Sequence, residues 1–386
     1  MKNTFLSTVI TMLRNTGSKR RQIMMMIIIT LAIMCIVGSA ALLIRENIPP
    51  NVEFDKINKS SIAGNRTQGN YLLLSKNNGI ATFPFVWADG LYLYSIDENK
   101  NYLLRTSLIP LMSFDNFYTL QNSRAYYTKG MANPGYKIFM HDFHSLARDK
   151  VVLKSVNSYA VTDKHLYFSY MDWGVGDNGE DYGEILKKDM SSGDEWILEK
   201  GNISSYLSAD DEYLYYYNID KKTIFQLSLD SEQITEYNNI ENEPVWIGTG
   251  SKNNIIIVNV LSEVIDYNTK TFHQQVVTKI DEKYSENHHL KNDFLYCDSY
   301  GTELCRVNLL DGTQDILISL GSVDEVTSLV ERVRKDGRYY DMVSYYCKDY
   351  IAIEASYSFE NKIFDRWVRK LLIFDYDGNF VRSKKL

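Results

Sequence analysis

The sequence predicts an all-β protein, a β-propeller of four-stranded blades with seven blades favoured over six, carried on one N-terminal transmembrane helix. Three observations lead there. A paired apolar-aromatic unit recurs along most of the 386 residues, Tyr (29) far outnumbers Pro (6), and one long run near the N-terminus has no charge. Aromatic and β-branched side chains pack well on a pleated surface and are scarce in disordered chains, so this composition argues for strands.

The clearest copy of the unit begins at Asp210-Asp211-Glu212, continues through Tyr213-Leu214-Tyr215-Tyr216-Tyr217, and after a polar gap resumes as Ile224-Phe225-Gln226-Leu227-Ser228-Leu229. Two such runs about a polar gap read as an antiparallel hairpin. Successive side chains on a strand point to opposite faces, so Tyr213, Tyr215, Tyr216 and Tyr217 are expected to fill the core on both sides of a blade. Aligned copies fall at Leu91-Tyr92, Ala125-Tyr126, Leu166-Tyr167, Leu214-Tyr215, Ile255-Ile256, Leu295-Tyr296 and Ile351-Ala352. Their spacing is about 40 residues, the period of a propeller blade.

Many copies follow a polar turn, such as Asp89-Gly90, Asp163-Lys164, Asn292-Asp293 and Lys348-Asp349, and before that turn stands a shorter apolar piece such as Tyr159-Ala160-Val161 or Trp246-Ile247. Asp and Asn suit turns because they bond their own backbone and tolerate left-handed conformations. A blade is then a short inner strand, the Leu-Tyr strand, the second run and an outer strand. Val326, Leu329, Val330 and Val333 break the pattern at helical spacing, so residues 323–335 are expected to form either a helix inserted between the last two units or a slipped strand of a degenerate blade, the insertion being slightly favoured.

Ahead of the repeats, residues 23–44 form an apolar run with no charge. As a helix it would span roughly 33 Å, enough for a bilayer core of roughly 30 Å. Lys19, Arg20 and Arg21 immediately precede it, which places the N-terminus in the cytoplasm and the remainder outside. The alternative is a cleaved signal peptide processed near Gly38-Ser39-Ala40-Ala41, but the run continues through Leu42, Leu43 and Ile44. The expected order is therefore a basic cytoplasmic tail over 1–22, a transmembrane helix over 23–44, a stalk over 45–69 containing Pro49-Pro50, and a propeller over 70–386. That is a single-pass protein of the cell membrane with an extracellular domain.

Residues 1–44 carry five basic residues and no acid, so the rest is more acidic than the whole-chain net charge of −7. Such a surface repels phosphate backbones, and nucleic acid is not an expected partner. Four cysteines, one of them Cys35 in the apolar run, do not make a disulfide framework. Cys297 and Cys305 would face each other across a hairpin centred on Gly301, either bridged or as two small core residues.

The stretch Gly69-Asn70 through Asn77-Asn78-Gly79, followed by Ala88-Asp89-Gly90-Leu91-Tyr92 and its later echoes, resembles a bacterial family of membrane-anchored domains of unknown function. That family is related to the low-density-lipoprotein-receptor-related-protein-type (TolB-like) β-propeller. The resemblance covers about residues 70 to 380 and implies a propeller, with no catalytic residues to carry over. The Tyr-Trp-Thr-Asp tetrad of the receptor propellers is absent, the nearest segments being Leu166-Tyr167-Phe168-Ser169 and Leu295-Tyr296-Cys297-Asp298. Those propellers have six blades, whereas the units here number seven.

No catalytic, nucleotide or cofactor motif is visible, and no cofactor is expected. His141 and His144 would lie on opposite faces of a strand, and His288 and His289 likewise, so neither pair suits joint metal ligation. One acidic, Gly-rich loop offers Asp172, Asp177, Glu180 and Asp181 as oxygen ligands for Ca²⁺, although the spacing differs from an EF-hand and a solvated loop is the simpler reading. Trp87, Trp173 or Trp246 could supply a ligand surface. The expected function is a membrane-tethered, non-catalytic binding domain, a sensor or scaffold, for a protein, peptide or glycan. The alternative is a propeller hydrolase or lyase using carboxylates at the channel mouth.

Overall fold

The computed structural model describes residues 23, 25–27, 29, 30 and 34 and, from 59 to 386, all but 78–88, 108–113, 130–136, 144–148, 155, 157, 173–181, 205, 252–253, 285, 300–302, 325–326, 328–339 and 360–365. Its strands make seven antiparallel sheets. Blades 1 to 7 span 67–107, 114–154, 158–201, 208–237, 244–279, 286–319 and 340–385, each a four-stranded meander contiguous in sequence. Seven sheets replace the six that the resemblance implies.

The repeating unit takes the place expected of it. In blade 4, Tyr213–Asn218 pairs with Ser208–Ala209 on its inner side and with Thr223–Ser228 on its outer side. Leu214 and Tyr216 enter a cluster shared with blade 3, while Tyr215 and Tyr217 enter one shared with blade 5. Every other pair of neighbours has its own cluster, and Leu72, Leu74, Tyr94 and Ile96 of blade 1 pack on Tyr345, Ala352, Leu371 and Ile373 of blade 7. Burial on both faces of each sheet is what the ring provides.

The polar turns do more than reverse the chain. Asn122 and Asn292 adopt left-handed φ of 49° and 55°. Between the inner and second strands these turns also stitch blades together: Gln68 donates to Asn122, Asn122 to Asp163, and Asn70 to Asp349.

Among the described residues the ring closes without exchanging a strand between blades 7 and 1. The Arg369 guanidinium donates to Ser75 O at 2.9 Å, Arg382 donates to Ile96 O, and Lys384 sits over the Tyr94 ring at 4.0 Å. Glu354, buried in blade 7, accepts from Arg369 and lies 3.7 Å from Arg66, whose guanidinium in turn covers the Tyr345 ring at 5.0 Å.

Among the described residues strands begin at Ser60, inside the segment expected to be a stalk, so the propeller takes in residues 60–69 as well. Ser60–Ile62 adds a fifth strand to the inner edge of blade 3, and Thr67–Gln68 is the inner strand of blade 1. The segment lies along the axis. Ser60 Oγ donates to Asp210 O at 2.6 Å, Ser61 Oγ to Leu120 O at 2.7 Å, and Thr67 Oγ1 to Tyr346 O at 2.7 Å. Ala63 N–H donates to Tyr159 O, Leu120 N–H to Asn65 O, and Lys348 N–H to Gly69 O. Its residues are polar because they satisfy backbone edges at the axis, and they therefore lack the apolar alternation by which strands are read.

The N-terminal expectations fall mostly outside the described residues, residues 1–22 entirely so. The described residues of the apolar run, including Met25, Met26 and Ile27, are helical and exposed. Among the described residues no helix is long and apolar enough to cross a membrane. Of the helix expected over 323–335 the structure describes little more than its start, where Asp324 and Thr327 are helical and Thr327 N–H donates to Val323 O at 2.9 Å. No strand of blade 6 or 7 comes from it among the described residues, in keeping with an insertion.

Glu354 is the acid that holds Arg66 and Arg369 at the closure, and removing it leaves the buried Arg66 guanidinium without this counter-charge. Glu354→Ala is expected to lower the unfolding free energy by about 3 kcal/mol, measured by urea denaturation. An unchanged midpoint would show that closure does not depend on this acid.

Candidate functional site

Residues 60–69 fill the part of the axis beside blades 1 to 3 and leave open the part beside blades 4 to 7. What remains is a cavity of about 700 Å³, walled on one side by that segment and on the other by the inner strands Pro244–Thr249, Glu286–Lys291 and Tyr340–Tyr346. Trp246, His288, His289, Lys291, Tyr346 and Tyr376 line it. Inner strands carry alternate residues toward the two neighbouring blades. Accordingly His288 turns to blade 5, its ring 6.1 Å from Trp246, and His289 turns to blade 7, stacked on Tyr346 at 4.4 Å with planes 8° apart. The two imidazoles diverge, as their adjacency implied, and do not converge on a common ion.

Three charged groups of the cavity lining, Lys291, Asp210 and Asp211, are engaged. Lys291 Nζ donates to Lys348 O and sits 3.3 Å from the Tyr376 ring centre, with burial lowering its pKa. The Asp210 carboxylate accepts from Thr249 and from the N–H groups of Glu212 and Tyr213. Asp211 accepts from Lys59 N–H at 3.2 Å, and burial raises its pKa. Both histidines are neutral near pH 7, since burial lowers His288 to about 4 and His289 to about 3, with Lys291 adding to the effect on His289.

One layer behind the wall is Asp298, only 1% exposed. Ser344 N–H at 2.8 Å, Asn287 Nδ2 at 3.0 Å and Tyr346 OH at 3.2 Å donate to it. Burial raises its pKa to about 6 despite these bonds. In the sequence Asp298 stands out only as the end of a Leu-Tyr-Cys-Asp segment, and His288 and His289 only as an adjacent pair unsuited to joint metal ligation. No local pattern distinguishes them, because the cavity is assembled from separate blades.

Of the four acidic residues offered as possible Ca²⁺ ligands, Asp172 ends a strand of blade 3, and Asp177, Glu180 and Asp181 lie outside the described residues. Among the described residues no group of three or more His, Cys, Asp or Glu side chains is placed to hold a metal ion. Trp246 is in the cavity wall, whereas Trp87 and Trp173 lie outside the described residues. His141, in blade 2, is buried 3.2 Å from Asp149, and His144 lies outside the described residues. Cys297 and Cys305 are paired in register across their hairpin and are both free and buried, burial raising Cys305 to about 11.

No family model matches the chain, and no curated protein matches it either. Among solved structures it is similar to a Mycobacterium tuberculosis puromycin-hydrolyzing peptidase at 12% identity and TM-score 0.44, over 75% of this chain and 50% of that one. The chain thus spans half the length of that peptidase. It is similar to an oligogalacturonate lyase in complex with manganese at 13% identity and TM-score 0.44, over 73% and 87%. A chain of the nidogen/laminin complex shares 10% identity at TM-score 0.36, over 67% and 92%. At these values none of them bears on activity, and the seven-bladed fold rests on the sheets themselves.

The buried titratable groups set opposing pH dependences. A carboxyl raised on folding contributes stability that is fully present below its unfolded pKa of about 3.9 and is lost as pH rises through the folded value. For Asp298 that folded value is about 6. An imidazole lowered on folding contributes stability that is fully present above about 6.5 and is lost as pH falls toward the folded value. For His288 and His289 those values are about 4 and about 3, each displaced further than Asp298, so the imidazoles outweigh the carboxyl. Unfolding free energy is expected to fall between about pH 6.5 and about pH 4. His289→Phe should flatten that decline and Asp298→Asn should steepen it. Stabilisation on acidification over that range would contradict the assignment.

Proposed function

We propose that this protein is a membrane-tethered extracytoplasmic propeller that binds a ligand at its axial cavity without chemically altering it. The single observation that carries this reading is the state of the cavity's polar groups: the Asp210, Asp211 and Lys291 groups are held by neighbouring donors or acceptors, and both imidazoles are neutral. Such a wall is preorganised for recognition. An acid/base pair needs the opposite, two groups free to exchange protons with one substrate. Tethering is supported by the uncharged run over 23–44 and the basic residues before it. The partner is a protein, peptide or glycan.

The alternative, a hydrolase or lyase, draws on Asp210, Asp211 and Glu212, which line the cavity from a single turn. Asp211, with its raised pKa, is the acid that such a reading would use.

A photo-crosslinking amino acid at Asn287, an exposed residue of the cavity lining, tests the proposal in intact cells. The expected result is a discrete adduct that Trp246→Ala abolishes, formed on protein that external protease digests without permeabilisation. Protease resistance in intact cells would overturn the topology. Turnover of a ligand that Asp211→Asn stops would overturn the non-catalytic reading.

A further inference from the structure

We propose that the axial cavity is a carbohydrate site, built for a neutral pyranose stacked against Trp246. This rests on the binding reading above and adds the chemical class of the ligand. A sugar ring has a flat C–H face, a rim of hydroxyl groups that both donate and accept, and no charge. Each property has a counterpart in the wall.

The flat face meets Trp246. Its indole is laid back over Gly248, so closely that a Cβ at that position would stand 2.4 Å from Cη2 and 2.8 Å from Cζ2. Only glycine two residues along the strand permits this pose, which fixes a large ring at the cavity edge. An aromatic surface of this size gains most from apolar contact, and a ring held in place loses little entropy when a ligand stacks on it. The broken register between Pro244 and Trp246 lies immediately ahead of it. Such irregularities re-aim side chains and occur beside functional sites.

The hydroxyl rim meets oxygen acceptors and one unused nitrogen. Ser60, Ser61 and Thr67 line the cavity, and each has given its own hydroxyl proton to a backbone carbonyl of another blade. What these side chains offer a ligand is therefore lone pairs, which suit sugar O–H donors. His288 Nε2, beside Trp246, is buried without a hydrogen-bond partner. A buried polar atom left unpaired costs about 1–3 kcal/mol, which a ligand hydroxyl would recover.

The absence of ligand charge follows from the pairing of the wall's own charges. Arg66 has Glu354, Lys291 has Lys348 O and the Tyr376 face, and Asp210 has Thr249. A charged ligand reaching the interior would have to break one of these pairs, the remaining charged lining, Asp211, Glu212 and Lys348, being exposed. The volume of about 700 Å³ holds more than one sugar ring, within the range of about 300–1,000 Å³ usual for small-ligand sites.

The test is tryptophan-fluorescence titration of the full-length protein in lipid nanodiscs, which avoids sugar-headed detergents. The probes are cellobiose, N,N′-diacetylchitobiose, galacturonic acid and glucosamine. A saturable shift with at least one neutral disaccharide is expected, with the uronic acid and the amine at least tenfold weaker. Trp246→Ala and Gly248→Ala should each weaken binding tenfold or more with the far-ultraviolet circular dichroism unchanged, and His288→Ala should weaken it by a similar factor. Since a folding defect could mimic the Trp246 result, Trp246→Phe is the second variant, which keeps an aromatic face at the cavity edge and should retain measurable binding. No saturable shift with either disaccharide, a preference for a charged sugar, or an unchanged response in Trp246→Ala would each overturn the carbohydrate assignment. If the Asn287 adduct forms and the sugars do not bind, the binding reading stands and this one falls; if neither is seen, both fall.

Discussion

A blade of this kind is stable only when both of its faces are covered, and that requires the seventh blade to meet the first. Many ways of closing such a ring share a strand between first and last blades. Here closure falls to side chains of the final blade, Arg369, Arg382 and Lys384, reaching onto blade 1, and to a polar segment drawn along the axis. That segment hydrogen-bonds to blades 1, 2, 3, 4 and 7 through residues 60–69, so it links both sides of the seam to blades far from it. Hydrogen bonds at the axis are costly to leave unmade, because the inner strand edges there are shielded from bulk water. The free edges of the inner strands and the hydroxyl-rich segment satisfy one another.

The cavity is a consequence of that arrangement. A single extended segment is too thin to fill a seven-bladed channel, and it lies against blades 1 to 3. The side beside blades 4 to 7 is left open, and there the inner strands present Trp246, His288, His289 and Tyr346. Aromatic rings at this position also belong to the inter-blade packing: Tyr346 packs against the cluster between blades 6 and 7 and Trp246 against that between blades 5 and 6. The wall is therefore rigid for the same reason the ring is.

Much of the fold was legible because Leu214, Tyr215 and their equivalents are buried on both sides of a sheet, which imposes apolar residues in succession, and because the turns before them need Asp or Asn. The illegible parts are those where polar backbone, not apolar surface, is being satisfied. Ser208–Ala209 and Thr67–Gln68 are two-residue strands, and Ser60–Ile62 contains two serines. Nothing in their local composition separates them from a loop, which is why residues 60–69 read as stalk. The site was less legible still. Trp246 was recognised as one of three tryptophans able to form a ligand surface, but its partners come from residues 60–69, 288–291 and 344–348, and only the closed ring brings them together. Gly248 would have been a usable signal: a glycine two positions after a tryptophan on a strand is what an indole lying along its own strand requires.

Residues 60–69 are part of the propeller and not a linker to it. Hydrogen–deuterium exchange of the full-length protein measures this directly. The amide of Ala63, donated to Tyr159 O, and that of Leu120, donated to Asn65 O, should exchange as slowly as the central-strand amides of blades 2 and 3. Exchange of the 60–69 segment at the rate of an unstructured chain, with the blades still protected, would contradict the account.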